Sequence, residues 1–434
     1  MAQEIIQLRL PNPLVKLLLM IPVIVAGICS YFAVSWYVGN TLAENLDPAE
    51  GNLDIARRAL AMAPNDPLTH VRVAELLQKD LPLDRQAEAI GEFETAVKLS
   101  PNDYRFWIFL GTAYERLGES DKAEQAMKRA VALAPSYAYP HWYLGNVMLR
   151  NAHYDDAFAE LRIAGEANSE LQPQQFNLIW QVYGDDLDGL KGAVGQSSTS
   201  RSAFAVYLLS LKQFDVGLRF WNTLTKEEKT ANQSAAQEMI ATLNKDFRFH
   251  DSLKIWNEVS DEKLHADVSQ MFDGGFEQDV PNGQEPVFGW RVNKVSQVQV
   301  GIDPARRHGG MRSLRLVFQV RSNLDAVNVY QLVTVQPSSQ YDFECYVSTS
   351  NLETGGPPKV DILDPTTNGV LVSSESAPSD TSEWKRISLS FSTSDKTQAV
   401  MVRVVRPTCA DKDTPVCPIF GSVWYDDFSL KRRN

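Results

Sequence analysis

Catalytic signatures are what this chain most plainly lacks. Its 434 residues contain no CxxC, HExxH, GxSxG, Walker or dinucleotide-binding pattern. The six histidines (His70, His141, His153, His250, His265, His308) are scattered, and none stands at metal-ligand spacing from another. Adjacent acids occur at Asp155-Asp156, Asp185-Asp186 and Asp426-Asp427, but acids paired in turns are ordinarily solvated. The expectation is a protein that is not an enzyme. Runs of Lys or Arg are also missing. With a formal net charge of −12 and a pI near 5.1, bulk nucleic-acid binding is excluded. The four cysteines are few. Cys29 lies in an apolar run, and Cys345 lies in a strand-like alternation that reads as buried core. Cys409 and Cys417 bracket a short step rich in Asp, Lys and Pro. That step suits a disulfide-closed loop in an oxidising compartment, and two free thiols are the alternative.

What the chain does have begins near its start. Leu17–Val38 (LLLMIPVIVAGICSYFAVSWYV) carries no charge and is long enough to cross a bilayer. Arg9 and Lys16 precede it, and the first charges after it are Glu44 and Asp47. The positive-inside rule then places residues 1–12 in the cytoplasm and everything after Asn40 outside. Pro22 is tolerable in a membrane helix, and Trp36 and Tyr37 fall at the outer interface. This predicts a single-pass cytoplasmic-membrane protein with an anchor over residues 13–40 and its bulk extracytoplasmic, in a bacterial periplasm. The competing reading is a cleaved signal peptide with Ala33 and Ser35 at its cleavage site, but the apolar run is longer than a usual signal core.

Three segments then carry Ala…Ala…Pro at an interval of 34 residues: Ala89, Ala96, Pro101; Ala123, Ala130, Pro135; and Ala157, Ala164 with Ser169 in the last place. A fixed period of this kind marks stacked helical hairpins. Counted from Tyr104, the middle repeat shows Trp107, Leu110, Gly111, Tyr114, Ala123, Met127, Ala130 and Pro135. This resembles the tetratricopeptide pattern position by position, and the resemblance covers roughly residues 50–170. The next repeat, from Ala138, departs with His141 and Met148 at aromatic positions. The one from His70 keeps its second helix but puts Leu77 at the small position, and Asn52–Pro64 reads as a capping half-repeat. The resemblance implies a concave groove lined from the first helix of each hairpin. It places Arg105, Ile108, Thr112 and Glu115 there, followed by Tyr139, Trp142, Asn146 and Leu149. Such a groove would take an extended peptide or a helix of a protein partner. The alternative is that Tyr139 and Trp142 are packing residues. Residues 41–170 are thus the repeats, and 171–268 read as diverged helical repeats. Within these, Ser202–Leu224 and Ser234–Val259 each read as helix, turn, helix, with turns at Phe214-Asp215 and Phe247-Arg248. Gly195–Ser200 reads as a loop.

From about Ser269 the texture changes to short alternating runs, which predict an all-β sandwich over 269–434. Candidate strands are Ser313–Val320, Asn328–Val335, Gln340–Val347, Lys359–Leu363, Trp384–Phe391, Gln398–Val405 and Val423–Leu430, with no Asn-Gly turn joining a pair. Phe272-Asp273-Gly274-Gly275-Phe276-Glu277, Phe288-Gly289-Trp290, His308-Gly309-Gly310 and Val423–Leu430 follow in order. The set resembles the carbohydrate-binding jelly rolls of bacterial polysaccharide-degrading enzymes. That resemblance implies one structural calcium held by Glu277 and Asp427 or Asp426, with carbonyls near Gly310 completing the shell. Calcium takes hard oxygen donors, so the residue types suit it. The alternative pairs Glu277 with Arg312 and leaves the Asp pair to cap a turn. Candidates to face a glycan are Tyr330, Gln331, Tyr346, Trp384 and Arg403, while Trp290, Trp384 and Trp424 equally suit the core.

The fold class read from the chain is therefore multidomain α plus β: one N-terminal transmembrane helix, an α-solenoid of tetratricopeptide-like hairpins and a C-terminal jelly roll. The order anchor, repeats, sandwich suggests an envelope adaptor that docks a protein through the groove and a polysaccharide through the sandwich. The other reading is a structural subunit of a membrane complex whose sandwich contacts protein. The short link over His265–Gln270 implies that the last helices and the sandwich touch.

Overall fold

The computed structural model describes residues 13–49, 51–79, 83–278, 287–293, 296–321, 324, 326–407, 409 and 416–433. Two compact units divide the chain, residues 1–195 and 196–434.

The first unit opens with α1 (Pro13–Asn45), which contains one stretch, Leu17–Asn45, long and apolar enough to cross a membrane, with mean hydropathy 2.5. Seven helices follow: α2 (Leu53–Met62), α3 (Pro67–Leu77), α4 (Leu83–Leu99), α5 (Tyr104–Arg116), α6 (Ser120–Leu133), α7 (Ala138–Arg150) and α8 (Tyr154–Ala167). A shorter pair, α9 (Gln172–Tyr183) and α10 (Leu187–Val194), ends the unit. Asn52, Asp66 and Asp103 sit just before α2, α3 and α5, and each side chain accepts an N–H of the first turn, which is why the helices start there. Gly111 and Gly145 let paired helices close. A Cβ on Gly111 would lie 2.8 Å from Met127 Cε, and one on Gly145 would lie 2.7 Å from Leu161 Cγ.

Two sequence expectations change here. The helix expected over residues 13–40 runs further: α1 continues to Asn45, and its last turns pack on α2 and α3. A Cβ on Gly39 would meet the Ala59 carbonyl at 2.7 Å, Ala43 is fully buried, and Asn40 Nδ2 donates to Asp66 Oδ2 at 2.6 Å. Asn52–Pro64 is therefore half of a hairpin whose other half is the end of α1. The repeat before Tyr104 also begins at Pro67, earlier than His70. The residue matching Gly111 and Gly145 is consequently Ala74, fully buried, and Leu77 holds a different place.

The second unit begins with α11 (Ser198–Ser210), α12 (Phe214–Trp221), α13 (Lys226–Ala231), α14 (Gln233–Lys245) and α15 (Phe249–Val259). Ser197 caps α11, so helix starts inside the stretch read as a loop. Phe214-Asp215 opens α12, and the turn lies before it at Lys212, whose φ is 61°. The sandwich follows: β1 (Trp290–Val292), β2 (Val298–Asp303), β3 (Ser313–Val320), β4 (Ala326–Thr334), β5 (Gln340–Thr354), β6 (Lys359–Asp364), β7 (Gly369–Ser373), β8 (Asp380–Ser392), β9 (Ala399–Arg406) and β10 (Ile419–Arg432). One sheet has the order β1-β4-β9-β6-β7 and the other β2-β3-β10-β5-β8, with antiparallel pairing throughout. The inward-facing alternate residues of both sheets, among them Phe318, Val329, Phe343, Val402 and Tyr425, form one core. The β6–β7 hairpin closes over the four residues 365–368, with Asn368 at φ 55° and Gly369 already paired with Asp364, so no two-residue Asn-Gly turn joins it. As the short link implied, α15 lies on the first sheet. Leu253 and Trp256 join Phe288 and Leu332 in a small cluster, and His250 Nε2 lies 2.9 Å from the Val335 carbonyl.

Candidate functional site

In the first unit, a cavity of about 400 Å³ is lined by Glu75, Ile108, Phe109, Thr112, Arg116 and Tyr143 among others. All six stand on first helices of successive hairpins, α3, α5 and α7, so one surface draws from three repeats. Ile108 and Thr112 were read from the repeat. Phe109 and Tyr143 were not, although they recur 34 residues apart in the chain. The remaining groove residues are held in particular ways. Arg105, whose side chain is exposed, forms a fork with Asp103, Nε to Oδ1 at 2.9 Å and Nη2 to Oδ2 at 2.5 Å. Glu115 is ion-paired with Arg150, and Asn146 Nδ2 donates back to the Trp142 carbonyl at 2.8 Å. Tyr139 is exposed, and Trp142 and Leu149 are partly exposed.

In the second unit, Glu277, Asp426, Asp427 and Gly310 do converge. A register shift in β10 between Asp426 and Ser429 turns the Asp pair towards the loop at 308–311. Asp426 Oδ2 accepts the N–H groups of His308 at 2.7 Å and Gly309 at 3.1 Å, Asp427 Oδ2 meets His308 Nδ1 at 2.6 Å, and Glu277 Oε1 accepts Met311 N–H at 2.7 Å. The acids lie close against these glycines: a Cβ on Gly309 would lie 2.6 Å from Asp427 Oδ2, and Gly310, at φ 54°, faces Glu277 Oε1. Burial pushes the Asp426 carboxyl upward against the pull of those N–H donors, and the Asp427 charge adds to the rise. At least one oxygen of each acid is thus engaged by the loop itself. Among the described residues no three His, Cys, Asp or Glu side chains are grouped to hold a metal ion; the shell implied by the resemblance would draw on two carboxylates and loop carbonyls.

The five glycan candidates do not form one site. Gln331 is fully buried, and its amide bonds both the N–H and the carbonyl of Phe272, at 3.1 and 2.8 Å, which removes it from any ligand-facing set. Tyr346 and Trp384 stand on β5 and β8, where the His308 ring stacks on Tyr346 at 3.6 Å between centroids and meets Trp384 edge-on at 5.8 Å. Tyr330 and Arg403 stand on the other sheet as cross-strand partners. Missed from sequence was Arg291, the partner of Tyr330 on its other side. It lies on β1, too short a strand to show alternation. A disulfide joins Cys409 to Cys417, and Arg406, fully buried, donates to the Cys417 carbonyl at 2.7 Å. Cys345 is buried, and burial raises its thiol well above the ordinary range.

A stack of helical hairpins with a shared groove defines a tetratricopeptide-type solenoid, and residues 104–137 match the tetratricopeptide repeat as a family. Over 109 residues the chain is 24% identical to Superkiller protein 3 of Saccharomyces cerevisiae, covering 25% of this chain and 7% of that protein. It is 26% identical over 99 residues to Anaphase-promoting complex subunit 3 of Dictyostelium discoideum, covering 23% and 10%. The chain thus spans a small part of the length of these relatives. Among solved structures, a MamA protein superposes with TM-score 0.28 at 14% identity, over 50% of this chain and 95% of that one. A structure described as "CBM4 structure and function" superposes with TM-score 0.28 at 12% identity, over 38% and 99%. Scores this low carry no argument. Repeats of this class mediate protein–protein interaction, and the chain is α plus β.

Proposed function

We propose that this protein is a membrane-anchored, extracytoplasmic, non-catalytic adaptor. Its groove docks a protein partner and its sandwich binds a polysaccharide of the cell envelope or a secreted one. The observation that carries the reading is the cavity drawn from three successive first helices, with an aromatic ring at the same place in two of them (Phe109, Tyr143). Aromatic side chains of this kind supply much of the binding energy in protein interfaces. The anchor rests on the length and apolarity of α1 and on the cations that precede it.

Crosslinking and co-purification of the wild type and of Tyr143→Ala tests the docking role. The variant is expected to lose its partner at least tenfold while keeping its thermal midpoint, since Tyr143 is exposed. Full retention of every crosslinked partner in Tyr143→Ala and in Trp142→Ala would remove the groove from the account. A second reading, a structural subunit whose sandwich contacts protein, is favoured by one observation. Leu332, on the outer face of the first sheet, is already packed against α15 of the same chain.

A further inference from the structure

One row of side chains crosses the first sheet from edge to edge. Pairing sets Arg291 beside Tyr330, Tyr330 beside Arg403, Arg403 beside Asp361 and Asp361 beside Ser373. Directly opposed residues in antiparallel strands point to the same side. The neighbours of this row, Trp290, Val329, Val402 and Ile362, fill the core, so the row stands on the outer face. Arg291, Tyr330 and Arg403 are all partly exposed there.

Three features make this row more than a solvated surface. The Nε of Arg291 and the Nε of Arg403 are both shielded from water and have no hydrogen-bond partner among the described residues. Leaving such a donor unmade is costly, and neither guanidinium is fully satisfied by the described residues. Arg291 has no ion pair among the described residues, whereas Asp361 is heavily shared. It takes Ser373 Oγ at 2.6 Å, Lys359 Nζ at 3.2 Å and Arg403 Nη2 at 3.5 Å. One acid set among two cations and a hydroxyl does not neutralise the row. Finally, the two arginines flank β4 and are therefore two strand spacings apart, on the order of 10 Å, with the Tyr330 ring between them.

We infer that this row selects an acidic saccharide, one whose sugar rings carry carboxylates. The planar guanidinium fork matches a carboxylate, and an aromatic ring between two such forks supplies a face for the sugar ring. The inference rests on the reading of the sandwich as a glycan-binding module and specifies what that module takes.

The test is binding of the full-length chain in detergent to polygalacturonate, to the same polymer with its carboxylates methyl-esterified, and to dextran sulfate. Polygalacturonate is expected to bind at least tenfold more tightly than its ester and than dextran sulfate, and to weaken with salt. Arg291→Gln should lose roughly tenfold in affinity for polygalacturonate with an unchanged thermal midpoint, because Arg291 has no partner to lose. Arg403→Lys, which keeps the charge beside Asp361 but not the fork, should lose affinity as well. If the ester binds as tightly as the acid in the wild type and both variants, the glycan reading stands and the acidic preference is overturned. Equal binding of dextran sulfate overturns the carboxylate preference. No binding of any polymer overturns both the inference and the glycan reading.

Discussion

The fourth residue of each first helix shows how a repeat tolerates substitution. Trp107 donates through Nε1 to the Pro101 carbonyl at 3.0 Å. His70 and His141 stand at the same place in their hairpins, and each puts Nε2 at 2.9 Å from the carbonyl of the proline that ended the previous repeat, Pro64 or Pro135. Each then places Nδ1 at 2.5 Å from a glutamate of its second helix, Glu92 or Glu160. The histidines looked like departures from the repeat, yet they preserve its hydrogen bond and add one. Spacing in the sequence reveals the position but not the equivalence, because Trp and His share only an N–H at similar reach. Asp103 does double duty as helix cap and Arg105 partner. The Arg105 hydrogen bond holds its carboxyl below the ordinary range, against the opposing effect of burial, with the Arg105 backbone N–H and charge adding to the lowering. A lowered folded value means the contribution is whole above about pH 4 and is lost as pH falls through the folded value. Water around the exposed Arg105 keeps that contribution to a fraction of a kcal/mol, while the cap itself is worth about 1 kcal/mol. Asp103→Asn, which keeps an acceptor for the cap, should show a flatter fall of unfolding free energy below pH 4 than the wild type. Parallel pH profiles for the two would rule out the pairing.

At the scale of elements, close approach decides what a hairpin accepts. Gly111 faces the tip of Met127, a flexible side chain that can swing aside, whereas Gly145 faces the branched Leu161 and, at 3.0 Å, the Ala157 carbonyl. Gly145→Ala should therefore destabilise by about 1–3 kcal/mol and Gly111→Ala by clearly less, read as thermal midpoints of the detergent-solubilised chain. The reverse order would show that helix separation is not set as described. Helices with capping residues and the 34-residue interval were readable, as was the core alternation of β3, β5, β9 and β10. The shortest strands escaped for physical reasons. β1 spans less than two alternations, β2 is interrupted by Gly301, and β7 is an exposed edge that starts at a glycine. Sheet order was unreadable, because apart from β2–β3 and β6–β7 the paired strands are not consecutive in sequence. Motif order placed Glu277, Asp426 and Asp427 near Gly310, and hydrogen bonds do bring these segments together. One oxygen of Glu277 and one of Asp427 bond the loop at 308–311, a pairing that residue types alone do not disclose.

At the scale of the whole molecule, the apolar stretch and one half of the first hairpin are a single helix, α1. Gly39, Asn40 and Ala43 pack on α2 and α3, while among the described residues nothing covers the exposed apolar side chains from Leu17 to Val38. A helix so exposed and apolar is stable where lipid replaces the missing core. On the proposed topology the charged, folded bulk lies on the side opposite the cations that precede the span. The disulfide between Cys409 and Cys417 suits an oxidising compartment on that side. The most direct measurement is protease added to intact spheroplasts of cells making the full-length chain, followed by detection of tags at its two ends. The account predicts that the C-terminal tag and the bulk of the chain are digested before lysis while a short N-terminal fragment survives. A chain that stays whole until the cells are broken open would contradict it.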